Sequence, residues 1–134
     1  MDRTGQNKTT IRAYAAAFSR GDFEAVKALC TPDVVISGVL GHGGLDVAMP
    51  IWNELHQAFG IQLEIQDMVA EGGSVAVRFS EKGIFRGEFR GIKPTGKLYE
   101  LVAMEWFKMK DGKIAQRWGA RDSAAMMRQV GAGQ

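Results

Sequence analysis

The dipeptide Asp111-Gly112 joins two long runs, "LYELVAMEWFKMK" before it and "KIAQRWGARD" after it. An Asp-Gly pair between alternating runs is a strong hairpin signal, because the central residues of the favoured turn need positive φ. This feature commits the C-terminal part of the chain to antiparallel sheet and fixes a register. With a two-residue turn, Phe107 stands opposite Gln116, Glu105 opposite Trp118, Ala103 opposite Ala120 and Leu101 opposite Asp122. Opposed residues point the same way. One face is thus predicted to hold Tyr99, Leu101, Ala103, Glu105 and Phe107 with Ile114, Gln116, Trp118, Ala120 and Asp122. The other holds Val102, Met104 and Trp106 with Arg117, Gly119 and Arg121. The first face, with its aromatics and two acids, reads as the concave, pocket-lining one. The second, where Trp106 and Met104 are rimmed by arginines, suits a subunit interface that makes a homodimer through the open sheet face.

The rest of the chain supplies helices first and strands later. "NKTTIRAYAAAFSR" carries Ile11, Tyr14, Ala15 and Phe18 at helical spacing, with Thr4 as its predicted cap and Gly21 as its stop. Asp22 caps a short helix, "FEAVKALC", broken by Thr31-Pro32. "DVVISGVL" reads as a strand, "GHGG" as a loop, and "LDVAMPIWNELHQAFG" as a third helix. "IQLEIQDMVAE" and "SVAVRFSEKGIF" alternate about a Gly72-Gly73 turn, "RGEFRGIKPTGK" is a basic loop, and "SAAMMRQV" a last helix. The order α-α-β-α-β-β-β-β-α predicts one α+β domain over 1–134. It is a cone-shaped barrel of a curved, mainly antiparallel sheet with helices packed on its concave side. A pocket in the cone is the natural place for a hydrophobic small molecule.

Composition narrows the function classes. The net charge is +2, and Lys82, Arg86, Arg90, Lys93 and Lys97 are interleaved with Glu81, Glu88 and Glu100. That pattern is a solvated loop, not a nucleic-acid footprint. No run approaches the ~20 apolar residues that span a bilayer, and "MDRTGQNKTT" lacks the core of a secretion signal. A cytoplasmic protein with no membrane partner is expected. Cys30 is the only cysteine, and His42 and His56 lie in different elements. Buried filler is the reading for the thiol, and no metal-ligand spacing is present.

Asp122 is the candidate for chemistry. A carboxylate among apolar neighbours is poorly solvated, which raises its pKa. A carboxyl tuned upward suits proton transfer near neutral pH, so Asp122 is the predicted general acid/base. It also directly precedes "SAAMMRQV", where it would cap the last helix, and the two roles stay open together. A guest would stack on Trp118 and be gripped by Tyr14 and Trp52, with Phe18, Tyr99, Leu101 and Glu105 completing the lining. Glu105 sits four residues from Leu101, roughly 13 Å at ~3.3 Å per residue, too far to touch Asp122 unless the strand bends.

Three phrases, "AFSRGDFEAVKALCTPDVVISG", "GEFRGIKPTGK" and "WFKMKDGKIAQRWGARDSAAMMRQVG", together cover much of the chain. In this order they resemble the SnoaL-like polyketide cyclase family of the nuclear transport factor 2-like superfamily. The resemblance implies a cone-shaped barrel, a dimer or larger assembly, and no cofactor. It also implies ring closure by intramolecular aldol condensation, with a late aspartate as acid/base; Asp122, after "GKIAQRW", matches that position. Those cyclases place a histidine on the preceding strand, whereas this chain has none among Tyr99, Leu101, Ala103, Glu105 and Phe107. The expectation is a cofactor-independent acid/base enzyme acting on a hydrophobic carbonyl compound by aldol cyclisation, isomerisation or dehydration. The alternative is a non-catalytic small-molecule-binding or assembly module of the same fold.

Overall fold

The computed structural model describes residues 3–131. Helices α1 (Arg3–Ser19) and α2 (Phe23–Ala28) are followed by strands β1 (Cys30–Gly38) and β2 (Gly41–Gly43). Helix α3 (Leu45–Phe59) then precedes the meander β3 (Gln62–Glu71), β4 (Ser74–Ile84), β5 (Leu98–Lys110) and β6 (Lys113–Arg121), and α4 (Ser123–Val130) closes the chain. The strands form one sheet in the order β2-β1-β6-β5-β4-β3. Among the described residues, only the β1–β6 pair is parallel. This is the expected α+β architecture, a mainly antiparallel sheet curved around its helices.

The core lies between α1, α3 and the inward face of the sheet. Ile11, Tyr14, Ala15 and Phe18 are all buried on α1, as their spacing requires. Aromatic contacts tie the layers together: Tyr14 meets Phe107 edge-on at 5.3 Å, Phe18 meets Trp52 at 6.0 Å, and Phe59 meets Phe85 at 5.0 Å. Cys30 is buried filler, its thiol bonded to the Val26 carbonyl and pushed by burial up to about 11. Helix α3 ends on Gly60 in the left-handed region; the His56 carbonyl accepts from Gly60 N and also from Arg86 Nη2.

Several local expectations change. "GHGG" supplies the edge strand β2, paired with β1, instead of a bare loop. Strand β1 starts at Cys30, and Pro32 falls where its pairing with β6 is interrupted, a place where a missing N–H costs no ladder bond. Helix α1 already includes Arg3, so Thr4 lies inside its first turn and is not its cap.

The decisive change is one residue long. The pairs Lys110↔Lys113 and Met109↔Ile114 follow the predicted register, but the next is Lys108↔Gln116. Ala115 is thus an extra residue on β6, a bulge. Because the side-chain period of a strand is two, a one-residue slip exchanges the faces of everything beyond it. Arg117, Gly119 and Arg121 therefore join Phe107, Glu105 and Ala103 on the inward face, while Trp118 stands outside opposite Trp106.

Candidate functional site

A cavity opens between α1, α3, the β1–β2 hairpin and the inward face of β4, β5 and β6. Its empty volume, open mouth included, is about 730 Å³. Phe18, Ile36, Leu40, Ile51, Trp52, Leu55, Ile61 and Leu63 make the walls apolar. The polar lining is concentrated in Tyr14, Glu81, Glu105, Arg117 and Arg121. Small residues separate the charges: Gly119 stands opposite Glu105, and Ala103 opposite Arg121.

Two Tyr–Glu–Arg groups result. In the first, Tyr14 donates to Glu105 Oε1 at 2.8 Å and Arg117 Nη1 donates to the same oxygen at 3.1 Å. Among the described residues, nothing donates to Oε2. Burial raises the pKa of Glu105; the Arg117 charge and the Tyr14 hydrogen bond pull it back only in part. In the second group, Arg121 forks onto Glu81, Nε to Oε1 at 3.0 Å and Nη2 to Oε2 at 2.5 Å. Tyr99 adds a bond to Oε2 at 2.7 Å, so every oxygen of Glu81 is engaged. Burial, reinforced by the adjacent carboxylates, keeps both tyrosines protonated well above their ordinary range. Burial works against the charge of Arg117 and Arg121, but Glu105 and Glu81 outweigh it and both pKa values rise.

Of the residues singled out from the sequence, Tyr14, Phe18, Trp52 and Glu105 border the cavity. Tyr99 and Leu101 point inward but are buried outside its lining, Tyr99 packed on Phe59. The placement of Trp118 and Asp122 is corrected. The bulge at Ala115 turns Trp118 to the convex face, where it is 42% exposed. Asp122 lies past the end of β6, exposed and outside the cavity lining. Its carboxylate accepts from Ala125 N at 2.9 Å, the helix cap that was its second reading. The arginines expected at the rim of an interface are instead the cations of the cavity. Glu81, read as part of a solvated loop, is 3% exposed. The signal for it was present: Val75, Val77, Phe79, Glu81 and Gly83 alternate on one face of β4.

The chain matches the family profile described as SnoaL-like polyketide cyclase over residues 8–130. It belongs to that family. Among solved structures, this SnoaL-like protein is similar to IdmH from Streptomyces antibioticus, described as a candidate polyketide cyclase. The identity is 28% and the TM-score 0.85, covering 94% of this chain and 99% of that one. AclR from Streptomyces galilaeus, described as a candidate hydroxylase, is 24% identical with a TM-score of 0.87 over 96% of this chain and 82% of that one. A candidate SnoaL-like polyketide cyclase from Jannaschia sp. CCS1 is 20% identical with a TM-score of 0.87 over 100% and 99%. The last two likenesses speak for the fold alone. No curated protein matches the chain. Among the described residues, no helix is long and apolar enough to cross a membrane, and no group of three His, Cys, Asp or Glu could hold a metal ion.

Proposed function

We propose that this protein is a cofactor-independent acid/base enzyme acting on a hydrophobic, carbonyl-containing small molecule in the cavity. The reaction is an aldol cyclisation, isomerisation or dehydration, and Glu105 in place of Asp122 moves the proton. One observation carries the proposal: both donors to Glu105 converge on Oε1, no described residue donates to Oε2, and Glu105 borders an apolar cavity. A carboxyl with a raised pKa and a free oxygen is fitted to take a proton from an activated carbon and return it. The apolar walls select a guest of like character, and the likeness to IdmH, a candidate polyketide cyclase, agrees with that class.

Proton abstraction can be read without the natural substrate. In heavy water, the wild-type protein is expected to speed deuterium exchange at the acidic carbon of β-tetralone or a related aryl ketone, followed by NMR. Glu105→Gln is expected to remove ~10²–10⁴ of that acceleration, the usual worth of one positioned acid/base, with the circular dichroism spectrum unchanged. Equal exchange rates in the two proteins would sink the mechanism.

We also propose a homodimer through the convex face. Val102, Met104, Trp106 and Trp118 are there 50%, 55%, 49% and 42% exposed, an apolar strip of the sort that subunit contacts cover. Trp106→Glu should then sediment as a monomer where the wild type sediments as a dimer; a wild-type monomer at high concentration contradicts the assignment.

A further inference from the structure

The surroundings of Arg117 bear on what the substrate must carry, an inference that rests on the acid/base reading above. Among the described residues, Arg117 donates one hydrogen bond, to Glu105, and its Nε is buried without an acceptor. Arg121, by contrast, commits Nε and Nη2 to Glu81, with Met126 Sδ as a further acceptor. A guanidinium has five N–H donors, and a buried donor without an acceptor is costly enough to call for a reason. Two glycines flank this one. A Cβ at Gly38 would stand 3.5 Å from Arg117 Nη2, and a Cβ at Gly119 would overlap the guanidinium. Both glycines border the cavity. The lining here is therefore a cation with uncommitted donors, seated against the bare backbone of Gly119, next to a carboxylate to whose Oε2 no described residue donates.

We infer that Arg117 receives the carbonyl oxygen of the substrate and holds the negative charge that develops on it. The substrate class is accordingly an enolisable ketone or ester, with the reacting proton on the carbon α to the carbonyl. The step balances: the α C–H bond breaks and its proton passes to Glu105 Oε2. The C–H electron pair becomes the C=C bond, and the carbonyl π pair moves onto oxygen, where Arg117 donates to it. As Glu105 becomes neutral, the enolate replaces it as the counter-charge of Arg117, so the cation is never left alone in a dry site.

A planar aromatic alcohol imitates the enolate and reports its own charge by absorbance, so β-naphthol is the probe. Wild-type protein is expected to show the naphtholate band of bound probe at a pH where free β-naphthol is neutral. Arg117→Met should lose that band and bind the anion roughly tenfold to a hundredfold more weakly, the worth of a hydrogen bond to a charged group. Binding of uncharged naphthalene should change less than about twofold, since its contacts are with the apolar walls. If Arg117→Met does not fold, Gly119→Ala serves, because its methyl displaces the guanidinium and should weaken the band while every polar group is kept. A wild-type protein that binds β-naphthol only as the neutral form, or not at all, overturns the inference, as does an undiminished band in the variant. Glu105→Gln separates this inference from the acid/base reading. It removes proton exchange if Glu105 is the base, yet it should strengthen the naphtholate band, because Arg117 then has no competing carboxylate. Loss of the band in Glu105→Gln would count against Arg117.

Discussion

The same three residue types meet twice at and behind the cavity wall, and the two groups do not behave alike. Tyr99, Glu81 and Arg121 form a closed unit: the arginine meets the carboxylate as a two-point fork and the tyrosine takes one of the same oxygens again. Tyr14, Glu105 and Arg117 form an open one, with both donors on a single oxygen. The neighbours explain the difference. Arg121 stands opposite Ala103, whose short side chain lets the guanidinium lie across β5 and meet Glu81 on β4 squarely. Arg117 stands opposite the fully buried ring of Phe107. Its guanidinium is turned over Gly119 instead and touches Glu105 at one corner. A fork uses the carboxylate up; a corner contact holds it in place and leaves an oxygen for other work.

The sharpest way to break this comparison is to neutralise each acid in turn. Glu105→Gln should lose ~10²–10⁴ in proton-exchange rate with a modest change in stability. Glu81→Ala should do the reverse: it leaves the Arg121 guanidinium buried without its partner, a loss of about 3–5 kcal/mol, or roughly 10–20 °C in Tm for a domain of this size. Rate measurements on folded protein below the lowered Tm, together with calorimetry, check both. If Glu81→Ala abolishes exchange in folded protein while Glu105→Gln does not, the roles are exchanged.

The fold was legible because its signals are long. The α1 stripe, the Asp111-Gly112 turn and the alternation of β3 and β4 each repeat over many residues, so single exceptions do not hide them. The site was half legible. Tyr14, Phe18, Trp52 and Glu105 sit on elements whose periodicity runs unbroken from a secure anchor. Arg117, Arg121, Trp118 and Asp122 lie beyond Ala115, and a bulge there leaves no mark in composition. A register shifted by one residue would have been favoured by charge and aromatic pairing. It sets Arg117 and Arg121 on the side of Glu105 and matches Trp118 with Trp106. Hairpin geometry alone fixes a register only as far as the first irregularity.

A smaller effect separates the two tyrosines. Burial raises the Glu105 pKa, and the Tyr14 hydrogen bond is among the influences that lower it. A base must be ionised, so the exchange rate should rise with pH through a midpoint above the ordinary carboxylate range. Tyr14→Phe removes a bond that favours the ionised form and should move the midpoint upward. Tyr99→Phe acts on Glu81 and should leave it in place. Stability follows the same proton. With its native pKa raised, Glu105 contributes most below the ordinary carboxylate range, and that contribution is lost as pH rises through the native value. Urea unfolding followed upward in pH from the ordinary carboxylate range should therefore slope downward for this group, and Glu105→Gln should flatten the slope. A Tyr14→Phe profile superimposable on the wild type would show that the Tyr14 hydrogen bond does not tune Glu105.

The smallest effect belongs to the carboxylate that the sequence made most prominent. Asp122 accepts from Ala125 N, which is all that a cap requires, and its amide analogue has an oxygen in the same place. Asp122→Asn should therefore leave both exchange rate and Tm close to wild type, whereas Asp122→Ala frees a helix donor and should cost about 1 kcal/mol. The pairing of the two variants is what decides. A residue that works only as a cap tolerates Asn and not Ala, while a residue that moves protons tolerates neither. A loss of exchange in Asp122→Asn of the size expected for Glu105→Gln would return the chemistry to the end of β6 and make the open Tyr14–Glu105–Arg117 group a structural one, like its closed counterpart.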